Sequence, residues 1–141
     1  MKIYSCLLAF YMIFSSSLFS IKIKGETIHQ WEVYTISFKT TKYYSNPYAE
    51  IPPDGIGDLL HVNFEGTSGE ARDKKITLVG FWNGGREWRI NFTPPYIGSW
   101  KYTSISGDKS MNRKEGSFEV VPWMEEEKIA NPTRRGLIRV K

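Results

Sequence analysis

The 141 residues leave room for one domain of ordinary size, and 40% hydrophobic and 15% aromatic residues are enough to fill its interior. The net charge of +4 does not point to nucleic acid, because Lys2, Lys22 and Lys24 stand in a leading stretch without an acid; removing it after Gly25 leaves +1, and after Ser20 leaves +3. One cysteine, Cys6, excludes a disulfide framework, and once the leading stretch is gone no thiolate remains for a metal site or a nucleophile.

In chain order, Met1-Lys2 opens an almost uncharged apolar run from Ile3 to Phe19, with Ser15, Ser16, Ser17 and Ser20 near its end. This reads as a signal peptide over residues 1–25, cleaved after residues 20–25. A membrane anchor would need about 20 apolar residues, and this run is shorter and broken by serines. Cys6 precedes most of the run, the wrong place for a lipid-modified residue, and is read as packing within the signal. The expected location is therefore secreted, extracellular or periplasmic, with membrane contact only through the export signal.

From Glu26 onward the pattern has period two and is punctuated by Gly, Pro, Asn and Asp. A first strand is predicted over Gln30 to Phe38. Trp31 and Val33 differ in parity from Tyr34, Ile36 and Phe38, so a bulge or sheet switch is expected near Val33-Tyr34. The loop Tyr43 to Tyr48 and the Pro52-Pro53-Asp54-Gly55 segment suit neither helix nor central strand. Leu60, Val62 and Phe64 alternate with His61, Asn63 and Glu65 as a half-buried strand. After a linker from Gly66 to Lys74, Ile76 to Trp82 and a return strand carrying Trp88, Ile90 and Phe92 form a predicted hairpin around Asn83-Gly84-Gly85. Trp100 and Tyr102 point inward on the next strand, and a polar loop from Ser106 to Gly116 leads to Phe118 and Val120. Residues 26–123 thus read as one all-β domain of about seven strands, an immunoglobulin-like β-sandwich, with a small closed barrel as the alternative. Residues 124–141 read as a polar linker followed by one more strand-like segment, Leu137 to Val140.

No catalytic constellation is visible. Glycoside hydrolysis needs two carboxyl groups about 5–10 Å apart across a cleft, whereas Glu65, Asp73, Asp108 and Glu119 are scattered over turns and outward positions and read as solvated charge. His29 and His61 are the only histidines, too few for a zinc site without cysteine. Asp54-Gly55-Ile56-Gly57-Asp58 lacks the spacing of an EF-hand and reads as a turn. No metal and no cofactor are expected. Asn91-Phe92-Thr93 matches a glycosylation acceptor, but its place in a strand before Pro94 makes chance the better explanation.

The string Trp31 to Phe38, the Asn46-Pro47-Tyr48 loop, the Gly80-Phe81-Trp82-Asn83-Gly84 turn, and the stretch from Phe92-Thr93-Pro94 to Gly98-Ser99-Trp100-Lys101-Tyr102 together resemble a domain of unknown function. That domain stands at the N-terminus of secreted bacterial glycoside hydrolases. Arg135-Gly136-Leu137-Ile138-Arg139-Val140 is similar to the segment leading into the first strand of their catalytic (β/α)8 barrel. The Pro52 to Asp58 segment departs from the family in length. The resemblance implies a non-catalytic accessory β-sandwich, truncated before a barrel that would be its intramolecular partner. It carries over no catalytic residue.

Aromatic faces stack on pyranose rings, so Trp82, Tyr44, Tyr43 and Tyr48 are the candidate carbohydrate-binding residues, with Trp82 and Tyr44 expected to be the most exposed. Trp88, which shares parity with Ile90 and Phe92, and Trp100 read as core. Two functions follow: an accessory domain of a polysaccharide-degrading glycoside hydrolase, or a free-standing secreted immunoglobulin-like binding or adhesion protein.

Overall fold

The computed structural model describes residues 25–49 and 57–136. The signal peptide with Cys6, most of the Asp54 to Asp58 turn and the Leu137 to Val140 segment lie outside the described residues. Among the described residues no helix is long and apolar enough to cross a membrane.

The chain is all-β, as its period-two pattern predicts. The strands are β1 (Glu26–His29), β2 (Tyr34–Lys39), β3 (His61–Gly66), β4 (Lys75–Val79), β5 (Phe81–Trp82), β6 (Glu87–Phe92), β7 (Gly98–Ile105) and β8 (Glu115–Val121). They form a five-stranded sheet in the order β1-β8-β7-β3-β4 and a three-stranded sheet in the order β2-β6-β5. Every pairing is antiparallel except β1 with β8. A helix α1 (Glu125–Ala130) and a 3-10 turn at Pro132–Arg135 follow the last strand.

Two predicted elements depart from their expected bounds. Of the strand predicted over Gln30 to Phe38 only the part from Tyr34 is strand, and residues 30–33 make the expected sheet switch: β1 ends at His29 in the larger sheet and β2 begins at Tyr34 in the smaller one. The crossing is made at Trp31, whose φ of 67° is left-handed and whose amide donates to the Pro94 carbonyl. The predicted hairpin is split. Lys75 to Val79 pairs with β3, and only Phe81-Trp82 pairs with β6. The break falls at Gly80, where a Cβ would lie 2.7 Å from Leu60 Cδ2 and 2.9 Å from the Arg89 carbonyl oxygen, so the chain passes between the sheets where only glycine fits.

Strand pairing places the apolar positions in rows. On the larger sheet Phe118 pairs with Trp100, and Tyr102 with Phe64, which in turn faces Ile76; Val62 pairs with Leu78. On the smaller sheet Tyr34 pairs with Phe92, Ile36 with Ile90 and Phe38 with Trp88. These rows meet between the sheets: Phe64 stacks on Phe92 at 4.1 Å and 15°, and Trp100 and Phe118 present edges to the same Phe92 ring. Trp88, Trp100, Val62, Phe64, Ile90 and Phe92 are all buried. The Trp100 indole N–H donates to the Tyr96 carbonyl at 3.1 Å, so its one polar atom is not stranded by burial.

Trp100→Ala is expected to lower unfolding free energy by about 3–5 kcal/mol in urea denaturation. A variant with wild-type stability would show that the indole does not plug the space between the sheets.

Candidate functional site

The loop after β2 and the turn between β5 and β6 lie together at one end of the molecule, because the Thr40 amide donates to the Arg86 carbonyl at 3.0 Å. This brings all four candidate aromatics to one place. Tyr44 and Tyr48 present edges to the buried Trp88 ring at 6.1 and 5.9 Å. The Tyr48 hydroxyl accepts from the Trp82 amide at 2.8 Å, and the Trp82 indole N–H donates to the Gly85 carbonyl at 3.1 Å. Trp82 and Tyr44, expected to be the most exposed of the four, are half-buried because both pack against the core. Tyr48 is exposed, and so is Tyr43, at 75%. The Arg86 guanidinium lies over the Tyr43 ring, 3.9 Å from its centroid.

Beneath this aromatic cluster sits a polar hub that the sequence reading missed. Asp108, read above as solvated charge, is 3% exposed. One of its oxygens accepts from the Ser110 amide at 2.8 Å and the Ser110 hydroxyl at 2.6 Å. The other accepts from the hydroxyls of Thr40 and Tyr44, and Tyr44 also reaches Asp58 Oδ2 at 3.3 Å, where Lys42 Nζ pairs at 2.6 Å. The legible signal was Asp108-Lys109-Ser110, an Asp with a hydroxyl residue two positions on, which favours a local side-chain-to-backbone turn. Burial alone would push the Asp108 carboxyl up, but the hydrogen bonds from Ser110, Thr40 and Tyr44 outweigh it and hold the group below the usual aspartate range. Burial, together with the nearby Asp58 and Asp108 charges and against a hydrogen bond with Thr40, pushes the Tyr44 phenol up to about 12.

At the other end of β2 the segment read as a linker is attached to the body. The Trp123 ring stacks on His29 at 3.9 Å and 13°, and the Arg134 guanidinium lies 4.1 Å from the same centroid. Two planar groups that close to one ring must take opposite faces. The Trp123 indole N–H donates to the Gln30 carbonyl at 2.8 Å, and Arg135 Nε donates to the Lys128 carbonyl at 3.0 Å. Thus α1 and the turn after it form an arm held by a cation, an indole and an imidazole.

The remaining acids do not converge. Glu65 pairs with Lys101 at 3.0 Å, whose hydrogen bond and charge hold its carboxyl below the ordinary range, and Glu119 accepts from the Ser99 hydroxyl at 2.6 Å. Among the described residues no three His, Cys, Asp or Glu side chains gather as a metal site.

Residues 27–107 match the model of a family described as a domain of unknown function, DUF5060. No curated protein matches the chain. Among solved structures the chain is similar to one described as a "putative glycoside hydrolase from Bacteroides vulgatus ATCC 8482", with 29% identity and a TM-score of 0.53 over 72% of this chain. The match spans only 17% of that protein.

Replacing Asp108 by Asn is expected to cost about 1–3 kcal/mol at neutral pH, since an amide nitrogen then faces donors that had a carboxylate. A carboxyl held below its unfolded value stabilises the fold fully above about pH 4 and loses that contribution as pH falls through the folded value. The gap between wild type and variant in denaturant titrations should therefore narrow toward pH 2–3. A gap independent of pH would show that the charge is not what the hub holds.

Proposed function

The chain belongs to the DUF5060 family of domains of unknown function, and from that premise we propose that it is a non-catalytic accessory domain of a secreted glycoside hydrolase. In this reading it is an immunoglobulin-like β-sandwich exported by the signal at its start. It packs against a catalytic barrel and helps to hold the polysaccharide that the barrel cleaves. The observation that carries the proposal is the match to the Bacteroides vulgatus protein, in which the matched region makes up 17% of a longer chain described as a "putative glycoside hydrolase".

The arm after β8 supports it. A tether that merely joined two independent bodies would have no reason to be fixed by the Trp123 stack. Along this arm and the sheet switch beneath it, Val33, Met124 and Ile129 stand exposed. These apolar groups sit where a following domain would meet the body, and burying them there would recover their transfer free energy.

Reading the transcript in frame past the codon for Lys141 tests the proposal. Alternating strands and helices with carboxylates at strand ends are expected. A stop codon at that point, with a stable product able to bind glycan or cells by itself, would overturn it in favour of a free-standing binding or adhesion protein.

A second measurement addresses the arm. The amides of Lys128 and Asn131, which donate to the Met124 and Glu127 carbonyls, should be protected from hydrogen exchange, and Trp123→Ala should abolish that protection while leaving the core strands unchanged. Exchange in the wild type as fast as in a free peptide would show that the arm is an ordinary tether.

A further inference from the structure

We propose that the Tyr43 and Arg86 pair, with the open turn beside it, is a binding site for an anionic group, carboxylate or sulfate, on the sugar ring of an acidic polysaccharide. The inference rests on the carbohydrate-holding role given above and names the class of glycan.

Three features carry it. First, Arg86 is exposed, with its guanidinium carbon over the Tyr43 ring, 3.9 Å from the centroid. A guanidinium held against an aromatic ring by cation–π attraction keeps N–H donors that can take a carboxylate or sulfate through two parallel hydrogen bonds. Among the described residues Arg86 has no carboxylate partner, whereas the neighbouring Lys42 is engaged by Asp58 and Arg89 by Glu87. The one acid in this turn, Glu87, is held by Asn83 Nδ2 at 2.7 Å and by Arg89 at 3.0 Å, and these hold its carboxyl below the ordinary range.

Second, the turn is fixed but open. Asn83 and Glu87 close it through main-chain bonds from the Asn83 amide to the Glu87 carbonyl and from the Glu87 amide to the Gly84 carbonyl. Trp82 ties it from the side through Gly85. Gly84 and Gly85 have φ of 96° and 54°, and a Cβ at either would meet nothing within 4 Å. Their amides and that of Arg86 donate to no acceptor among the described residues. Successive unpaired backbone N–H groups in a tight turn attract anions in their own right.

Third, Tyr43 and Tyr48 supply exposed aromatic surface on the same side of the molecule as Arg86, since Tyr48 is bonded to the strand that leads into the turn. Aromatic surface takes the apolar face of a pyranose, and the guanidinium and the amides take its charge. A neutral glycan would leave that cationic edge unused.

The test uses the purified chain in affinity electrophoresis and calorimetry against polygalacturonate, a sulfated galactan, and two neutral polymers, xyloglucan and amylopectin. Binding to at least one anionic polymer is expected, and the carboxylated and sulfated arms identify the group. Tyr43→Ala and Arg86→Gln should each weaken it by about tenfold or more, as the loss of charge-assisted hydrogen bonds or of the surface that aligns them requires. Arg72→Gln, which removes an exposed cation from the turn before β4, should leave it unchanged. Thermal midpoints of the exposed-residue variants provide the control for folding.

Equal loss in the Arg72 variant would overturn the site, because binding would then follow overall charge. So would unaltered affinity in Arg86→Gln, or failure to bind any anionic polymer. Binding to a neutral polymer that survives Arg86→Gln would overturn the anionic site while leaving the accessory role in place.

Discussion

The two sheets are held in one relation by the stack of Phe64 on Phe92, 4.1 Å apart and nearly parallel. Each ring comes from an inner position of a different sheet, and Trp100 and Phe118 close around Phe92 edge-on. Beyond the transfer free energy of their buried surface, such ring pairs contribute about 0.5–1.5 kcal/mol each. Their larger effect is on register. Sliding β3 or β6 by one residue would turn Phe64 or Phe92 to solvent and bring Asn63 or Asn91 inward, so the aromatic contact fixes both strands at once.

With that core fixed, the two ends of β2 take different tasks. At its far end a buried carboxylate, Asp108, gathers Thr40, Tyr44 and Ser110, which positions the loop carrying the tyrosines against the β5–β6 turn. The cost of burying a charge is offset by four hydrogen bonds, and the arrangement leaves Tyr43 and Arg86 free to face solvent. At its near end no buried charge is used. The arm is held by stacking of flat groups on Trp123. In the proposed accessory role one end faces substrate and the other faces the barrel.

Legibility differed by kind of residue. Trp88, Ile90, Phe92 and Trp100 were placed inward by alternation alone, and all are buried. The aromatics Trp82, Tyr43, Tyr44 and Tyr48 were chosen by residue type and by their places in a turn and a loop, and the two segments do meet at one end. Trp82 and Tyr44 were expected to be the most exposed and are half-buried, because the three tyrosines occur in a loop without period and Trp82 ends a strand of two residues. Asp108 was misread for a related reason: an acid in a polar loop looks solvated unless its partners are known, and Thr40 lies 68 positions away. Residues 124–136 looked like a linker since Glu125-Glu126-Glu127 and Pro132 are polar and broken, yet stacking partners from β1 and its own turn hold the segment in place.

The amino-acid sequence by itself determined the all-β class, the inward positions and the location of most turns, because period, glycine and proline act over a few neighbours. It also marked the parity change at Val33-Tyr34 that becomes the sheet switch. Only the tertiary structure decided that Ile76 to Trp82 is shared between two sheets, that Asp108 is a buried hub, and that the arm is attached through Trp123. Each of these depends on which distant segment lies alongside, and packing chooses that segment through shape and unsatisfied polar groups that no local pattern records.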